Sequence, residues 1–280
     1  NAQIPILDWG FLRSDATYDV VHVWKGRFFR IDEHIDRFYQ SSKSLRMPCS
    51  INRVELKKIL AGCVYHSGLN DAYVEMIQTR GVSKNFLRDP RMACPRFMAF
   101  AVPFGWILEP HNFENGLNAI VSDRRRISPK SIDSRIKNYH WLDLVCGMYE
   151  AYDSNSDTVI LTDEKNNISE GPGFNIFCID ENSLKTPKNG VLEGITRQTV
   201  IELANEINLP VNLSSIPIDM LTNSDEVFAS STAGGIMPIT KINEKVIGEG
   251  LPGQITRQLN KLYWEKHNQP NWSKAVRELL

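Results

Sequence analysis

Two periodicities meet within the first fifty residues and limit what this chain can fold into. Residues 18–24 (YDVVHVW) and 27–31 (RFFRI) are β-branched and aromatic runs separated by Lys25-Gly26, the pattern of a two-strand hairpin. Directly afterwards the spacing becomes helical: His34, Ile35 and Phe38 share a face that continues to Leu45, with Asp32 as the expected cap. Residues 54–65 predict a second amphipathic helix. Residues 72–79 and 97–102 predict strands flanking a polar loop, 81–96, that holds Arg88 and Arg91. Pro, Asn and Gly then cluster over 109–116, the best boundary in the chain. Beyond it, strands are expected at 117–121, 158–161, 175–179 and 226–229, and helices at 197–207 and 254–267. There is no repeat and no low-complexity segment. The expectation is an α/β or α+β protein of two domains, 1–109 and 110–280.

At 280 residues the chain is long enough for two ordinary domains with real cores. Its 32 basic and 33 acidic side chains nearly cancel, so charge points to neither a nucleic-acid nor a membrane partner. The five cysteines (Cys49, Cys63, Cys94, Cys146, Cys178) are scattered without metal-ligand spacing and read as reduced thiols in a cytoplasmic protein. No signal-peptide pattern or membrane-spanning apolar run is present. The sequence carries no initiator Met, and a preceding segment is expected.

Chemistry concentrates in four places. Residues 136–152 (IKNYHWLDLVCGMYEAY) place Trp141, Leu144, Val145 and Met148 at i, i+3, i+4 and i+7, and so set Lys137 at the mouth of a helix with a buried face. A lysine beside packed surface loses its proton more easily than a solvated one, as nucleophilic and imine-forming lysines require. In ISEGPGFNI, Glu170 precedes a Gly-Pro-Gly turn that can bring a carboxylate close to a flat ligand. In LEGITRQTV, Gly194 and Thr196 open a helix whose free N–H groups and dipole suit a phosphate. In SSTAGG, Ser231 and Thr232 offer hydroxyls in a second place where N–H groups converge. Each also has a plain reading: a solvated loop lysine, a turn carboxylate, an ordinary helix start, a glycine-rich loop. Together they describe one ligand. An imine-forming lysine, an acid for a ring nitrogen and two anion sites are what pyridoxal 5′-phosphate needs.

The ordered set K-N-x-x-W-x-D-L, E-G-x-G-F-N, G-I-T-R and T-A-G-G-I-M-P resembles the class IV (fold-type IV) pyridoxal phosphate aminotransferases over essentially the whole chain. That group includes branched-chain and D-amino acid aminotransferases, aminodeoxychorismate lyases and (R)-selective amine transaminases. The resemblance implies a D-amino acid aminotransferase-like fold, with a smaller N-terminal α/β domain and a larger C-terminal pseudo-barrel domain carrying the lysine. It implies that Lys137 forms the imine with the cofactor and that Glu170 pairs with the pyridine nitrogen. Arg37, in RIDEHIDRF, would bind the phosphate, completed by Ile195, Thr196, Ser231 and Thr232, while Leu192 packs on the ring.

Four segments (GFLRSDATYDVVHVW, DAYVEMIQTRG, RRRISPKSIDSRIKNYHW, STAGGIMPIT) look most like the (R)-amine transaminases. In that subgroup the residues matching Arg13, Tyr18, Val20, Tyr73, Glu75 and Trp141 shape the substrate pocket. Arg88 is the candidate for a keto-acid carboxylate, with Arg91 second, although the loop is shorter than the subgroup leads one to expect. His140 stands for the usual Gln, Pro172 for the usual Ser, and the first strand expected before residue 1 is absent. The implied activity is ping-pong amino transfer from an (R)-amine or D-amino acid to a keto acid such as pyruvate, in a homodimer without a metal. Two alternatives stay open: a branched-chain or D-amino acid aminotransferase of the same fold, and a non-catalytic binding protein.

Overall fold

The computed structural model describes residues 2–280, which form two compact units. The first gathers residues 2–104 with Ile136–His140 and Gln269–Leu280; the second holds Gly105–Arg135 and Trp141–Asn268.

The first unit is a five-stranded antiparallel sheet with two helices on one face. Its elements are α1 (Trp9–Arg13), β1 (Ala16–Trp24), β2 (Arg27–Phe29), α2 (Ile31–Ser44), α3 (Arg53–Ser67), β3 (Ala72–Ser83) and β4 (Ala93–Pro103). The sheet order is Ser273–Ala275, β2, β1, β3, β4. β1 and β2 pair Val23 with Phe28 and Trp24 with Arg27, leaving Lys25 and Gly26 as a two-residue turn, both at positive φ (50° and 72°). That is the turn whose twist matches its strands. Val21, Val23, Val74 and Met76 face Ile35, Phe38, Leu56 and Leu60 in the core beneath the helices.

Two expectations need correction here. Asp32 is not the cap of α2; the cap position is Arg30 in the left-handed region, without a side-chain bond, and Asp32 lies in the first turn. Its carboxylate pairs instead with Arg53, Lys57 and Lys274. Burial raises its pKa, but these bonds win and bring it down to about 2. The polar loop is also shorter than 81–96. β3 runs on through a bulge to Ser83; only glycine fits at Gly81, where φ is +76° and a Cβ would meet the Cys94 carbonyl oxygen at 1.7 Å. β4 begins at Ala93, and its Pro95 is tolerated because β4 is an edge strand.

The second unit is built on a mixed sheet of nine strands. In chain order its elements are β5 (Leu117–Arg125), α4 (Leu142–Asp153), β6 (Thr158–Thr162), β7 (Glu170–Gly171), β8 (Phe174–Asp180), β9 (Ser183–Pro187), α5 (Ile195–Glu206), β10 (Val211–Ser214), α6 (Ile218–Asn223), β11 (Glu226–Ser231), β12 (Gly235–Ile242), β13 (Lys245–Val246) and α7 (Gln254–Lys266). The order is β10-β9-β8-β11-β12-β5-β6, with β7 on β8 and β13 on β12. Its core joins Leu117, Ile160, Ile176, Val227 and Ile239. α4 buries Leu144 of the face expected from sequence, and Trp141, at the cap position, and Met148 pack partly buried against the same cluster; Val145 is exposed instead, and Gly147 and Ala151 complete the buried face. Among the described residues no helix is long and apolar enough to cross a membrane, and no group of side chains could hold a metal ion.

Candidate active site

In the first unit, Lys137 is pinned by its backbone. β2 covers only the end of β1, so the N-terminal half of β1 has an open edge on that side. Residues 137 and 138 take that edge: Asn138 bridges Thr17, and the Lys137 carbonyl accepts from Thr17 Oγ1 at 2.6 Å and from the Tyr18 N–H at 3.3 Å. The Lys137 N–H donates to Ser41 Oγ on α2 at 3.3 Å. Its Nζ lies 4.3 Å from the centroid of the Tyr18 ring.

The strand register gathers four of the expected pocket residues on one face. Val20 stands opposite Glu75, Tyr18 opposite Ile77 and His22 opposite Tyr73, so Tyr18, Val20, Tyr73 and Glu75 point to the side away from the helices. Tyr139, which the sequence reading did not single out, completes this face. Its ring stacks on Tyr18 with centroids 4.3 Å apart and planes 14° from parallel, and its hydroxyl donates to Glu75 Oε1. Burial pushes the Glu75 carboxyl above its ordinary value, opposed by the Tyr139 hydrogen bond and the charge of Lys137. Burial likewise raises the phenols of Tyr73 and Tyr139.

On the other face of β1, Asp19 is fully buried and holds Arg37. Arg37 Nε and Nη2 donate to it at 2.7 and 2.9 Å, His34 Nδ1 lies 2.8 Å from Oδ1, and the Val20 N–H adds a bond of 2.8 Å. Burial alone would raise the Asp19 pKa, yet Arg37 and His34 hold it far below the ordinary carboxylate value. Burial outweighs Asp19 for His34 and lowers its pKa, so a neutral imidazole donates through Nδ1. Arg37 is thus a fixed guanidinium, aimed by a strand residue eighteen positions earlier.

The expected arginines differ in how they are engaged. Arg13 is exposed at the end of α1 with its guanidinium 4.3 Å from the Trp9 ring centroid. Arg91 is forked onto Asp89 at 2.6–3.1 Å. Arg88 is exposed, in the short segment between Lys84–Phe86 and Pro90–Met92, and makes no hydrogen bond or ion pair among the described residues.

In the second unit, Glu170 is buried on β7. Its Oε1 accepts from Arg126 Nε at 3.0 Å and its Oε2 from the Leu192 N–H at 2.9 Å. Arg126 also donates to Asp143 Oδ2 at 2.7 Å, where the Ile127 N–H joins it. Burial would lower the Arg126 pKa, but Glu170 and Asp143 turn the shift upward. Arg126 and Asp143 were not among the expected site residues. The Glu170 turn explains the local sequence: Glu170 pairs with Asn175 and Gly171 with Phe174, so Pro172 and Gly173 form the tip, Gly173 at φ +81°. Proline then glycine is the preferred order in such a turn, so Pro172 serves the hairpin. Trp141 covers it, 3.4 Å from where a Cβ on Gly173 would lie.

α5 starts at Ile195 with Gly194 as cap and no side-chain bond to its first N–H groups. Gly194 is required by Asn175, whose Oδ1 would lie 2.2 Å from a Cβ there and whose Nδ2 donates to the Leu192 carbonyl at 2.9 Å. The hydroxyls of Thr196 and Thr232 make no hydrogen bond among the described residues. Ser231 differs: its Oγ donates to the Gly173 carbonyl at 2.8 Å and accepts from the Ala233 N–H at 3.1 Å, so it already braces the loop.

The family model "Amino-transferase class IV" matches residues 16–242. A Methanocaldococcus jannaschii protein provisionally named a branched-chain-amino-acid aminotransferase is 31% identical over 265 residues, covering 94% of this chain and 91% of its own. A D-alanine aminotransferase of Listeria monocytogenes is 30% identical over 281 residues, with 95% and 91% covered. The chain spans about half the length (47%) of a branched-chain-amino-acid aminotransferase-like protein of Arabidopsis thaliana. The branched-chain amino acid aminotransferase of Thermobaculum terrenum, solved in its PLP-form (holo-form), superposes with a TM-score of 0.89 at 25% identity, covering 98% of this chain and 94% of that one.

Proposed function

This chain belongs to the class IV aminotransferase family, and on that premise we propose that it moves an amino group from an (R)-amine or D-amino acid to a keto acid such as pyruvate, using pyridoxal 5′-phosphate. The residues present suit that cofactor. The lysine is clamped by its backbone, the buried carboxylate of Glu170 is braced by Arg126, and α5 begins with uncapped N–H groups beside the unengaged hydroxyl of Thr196. When bound, the cofactor supplies a carbonyl carbon that links to amines and a protonated ring that draws electrons from the carbon beside the nitrogen.

The roles of the chain's own residues follow. Lys137 would hold the cofactor through Nζ, and as a free amine would take the proton from the donor's Cα as base and return it as acid. Glu170 would face the ring nitrogen as its acid partner, and Arg126, bonded to Oε1, aims it. Arg37, Ile195, Thr196 and Thr232 hold the phosphate, Ser231 shapes the loop, and Leu192 packs on the ring. Tyr18, Val20, Tyr73, Glu75 and Trp141 shape the donor pocket, Arg88 meets the keto-acid carboxylate with Arg91 or Arg13 as substitutes, and the enzyme works as a homodimer. The compact units differ from the domain division expected from sequence, 1–109 and 110–280, because residues 136–140 and 269–280 belong to the first.

The observation that carries the donor class is Glu75. Its carboxylate lies on the same sheet face as Tyr18, with Lys137 acting on it electrostatically, and would attract an ammonium but repel a donor's carboxylate. The names of the relatives favour a second reading, in which a branched-chain L-amino acid or D-alanine is the preferred donor. A donor panel with pyruvate separates them: the first reading expects (R)-1-phenylethylamine to exceed D-alanine and L-leucine in kcat/KM. Lys137→Ala should abolish turnover for every donor. Retained turnover without added amine would remove Lys137 from the chemistry.

A further inference from the structure

Glu75 does not stand alone on its face. Tyr139, two residues after Lys137 on the segment that pairs with β1, reaches over to it with a hydroxyl bond and lies flat on Tyr18. The stacking fixes where the phenol points, so the hydroxyl reaches Glu75 as a consequence of ring packing rather than of a flexible arm. A hydrogen bond donated to a carboxylate stabilises the charged form over the neutral one. We propose that Tyr139 is a specificity-determining residue: by donating to Glu75 it keeps a negative charge on the face that Tyr18 and Lys137 share, and so sets the preference for donors without a carboxylate.

This deepens the reading of the donor pocket given above and rests on it. Several groups surround the Glu75 carboxyl. Tyr73 and Tyr18 belong to its own sheet, Tyr139 and Lys137 to the segment packed against it, and Asp19 acts through β1. Burial pushes Glu75 toward the neutral form, and Lys137 and Tyr139 oppose that push, whereas Asp19 adds to it. Removing the Tyr139 hydroxyl takes away one of the two groups that favour the charge. The titration of Glu75 then moves further up, and the lost negative charge is felt most at low pH. A donor carboxylate meets less repulsion there, and an ammonium less attraction.

The test compares holoenzymes of the parent, Tyr139→Phe and Glu75→Gln. Tyr139→Phe keeps the ring on Tyr18 and removes only the hydroxyl. The first half-reaction is followed by the cofactor's absorbance with (R)-1-phenylethylamine and, separately, with D-alanine, at about pH 6 and about pH 9. The readout is the ratio of the two kcat/KM values, in which the titration of Lys137 and of the cofactor cancels. Glu75→Gln should shift the ratio toward D-alanine by about tenfold at both pH values, the scale of one nearby charge. Tyr139→Phe should match it at the low pH and return to within about twofold of the parent at the high pH, where Glu75 ionises without help. A ratio that Tyr139→Phe leaves unchanged, or shifts equally at both pH values, overturns the proposal. So does an unchanged ratio in Glu75→Gln. A parent that prefers D-alanine at every pH would instead reject the amine reading, while the pH-dependent shift in Tyr139→Phe would still report on the pair.

Discussion

Replacing Asp19 by asparagine would leave the Arg37 guanidinium beside an uncharged amide in a fully buried position. Breaking a buried pair by removing one partner costs about 3 kcal/mol or more, because the remaining charge is left without compensation. The sign with pH follows from the lowered pKa of Asp19. Its contribution is fully present above the unfolded value of about 4 and is lost as pH falls below it. Denaturant titrations of parent and Asp19→Asn should therefore differ widely near neutrality and converge in acid; an equal gap at both would show that the charge of Asp19 does not matter. Glu170→Gln is expected to keep the cofactor but lower turnover by roughly 10²-fold, the scale of losing one positioned electrostatic group. Unchanged turnover would reduce Glu170 to a turn residue. Lys137 and Glu170 were legible because each stands in a short motif. Tyr139, Asp19, Arg126 and Asp143 were not, because their partners lie far along the chain: 64 positions separate Tyr139 from Glu75, and 44 separate Arg126 from Glu170.

Among the elements, α5 depends on the absence of a side chain at Gly194. Gly194→Ala would push a methyl against Asn175 Oδ1 and dislodge its bond to the Leu192 carbonyl. We expect a loss of about 1 kcal/mol in stability and weaker cofactor binding, read by titrating apoenzyme with pyridoxal 5′-phosphate. Normal affinity would show that the start of α5 takes no part in holding the phosphate. The hairpin at Lys25-Gly26 and helices α2, α3, α5 and α7 were readable from periodicity and turn residues. β12 was not. It begins in Gly235 and carries Pro238, which reads as loop, yet pairing with β5 begins only at Ile239, so the missing N–H of Pro238 costs no bond on that side. β9, with Lys185 and Pro187, hid for a similar reason, and α1 is too short to show a period. Val145 was misplaced on the buried face of α4 because Leu142, Val145, Tyr149 and Tyr152 are apolar but exposed, while a glycine and an alanine make up two of its three buried positions.

The whole molecule divides its chain in an order that local patterns do not announce. Five residues carrying Lys137, and the last twelve of the chain, belong to the unit built from the N-terminal third. Only the strand edge left open by the short β2 explains why residues 137 and 138 join that unit. At this scale the enzyme must also accept a donor without a carboxylate and then an acceptor with one. An exposed, unengaged Arg88 on a short irregular segment suits a cation that serves only the second. Arg88→Ala should raise KM for pyruvate and leave the half-reaction with the amine almost unchanged; equal effects on both would pass the role to Arg91 or Arg13. The central claim, amino transfer from an amine through a lysine-held cofactor, is tested most directly by a single-turnover experiment. Purified holoenzyme is mixed with (R)-1-phenylethylamine and no acceptor, and its visible absorbance is followed. The account predicts that the band is lost once, in stoichiometric amount, and returns when pyruvate is added. A band that only L-leucine or D-alanine discharges, with the amine inert, would contradict it.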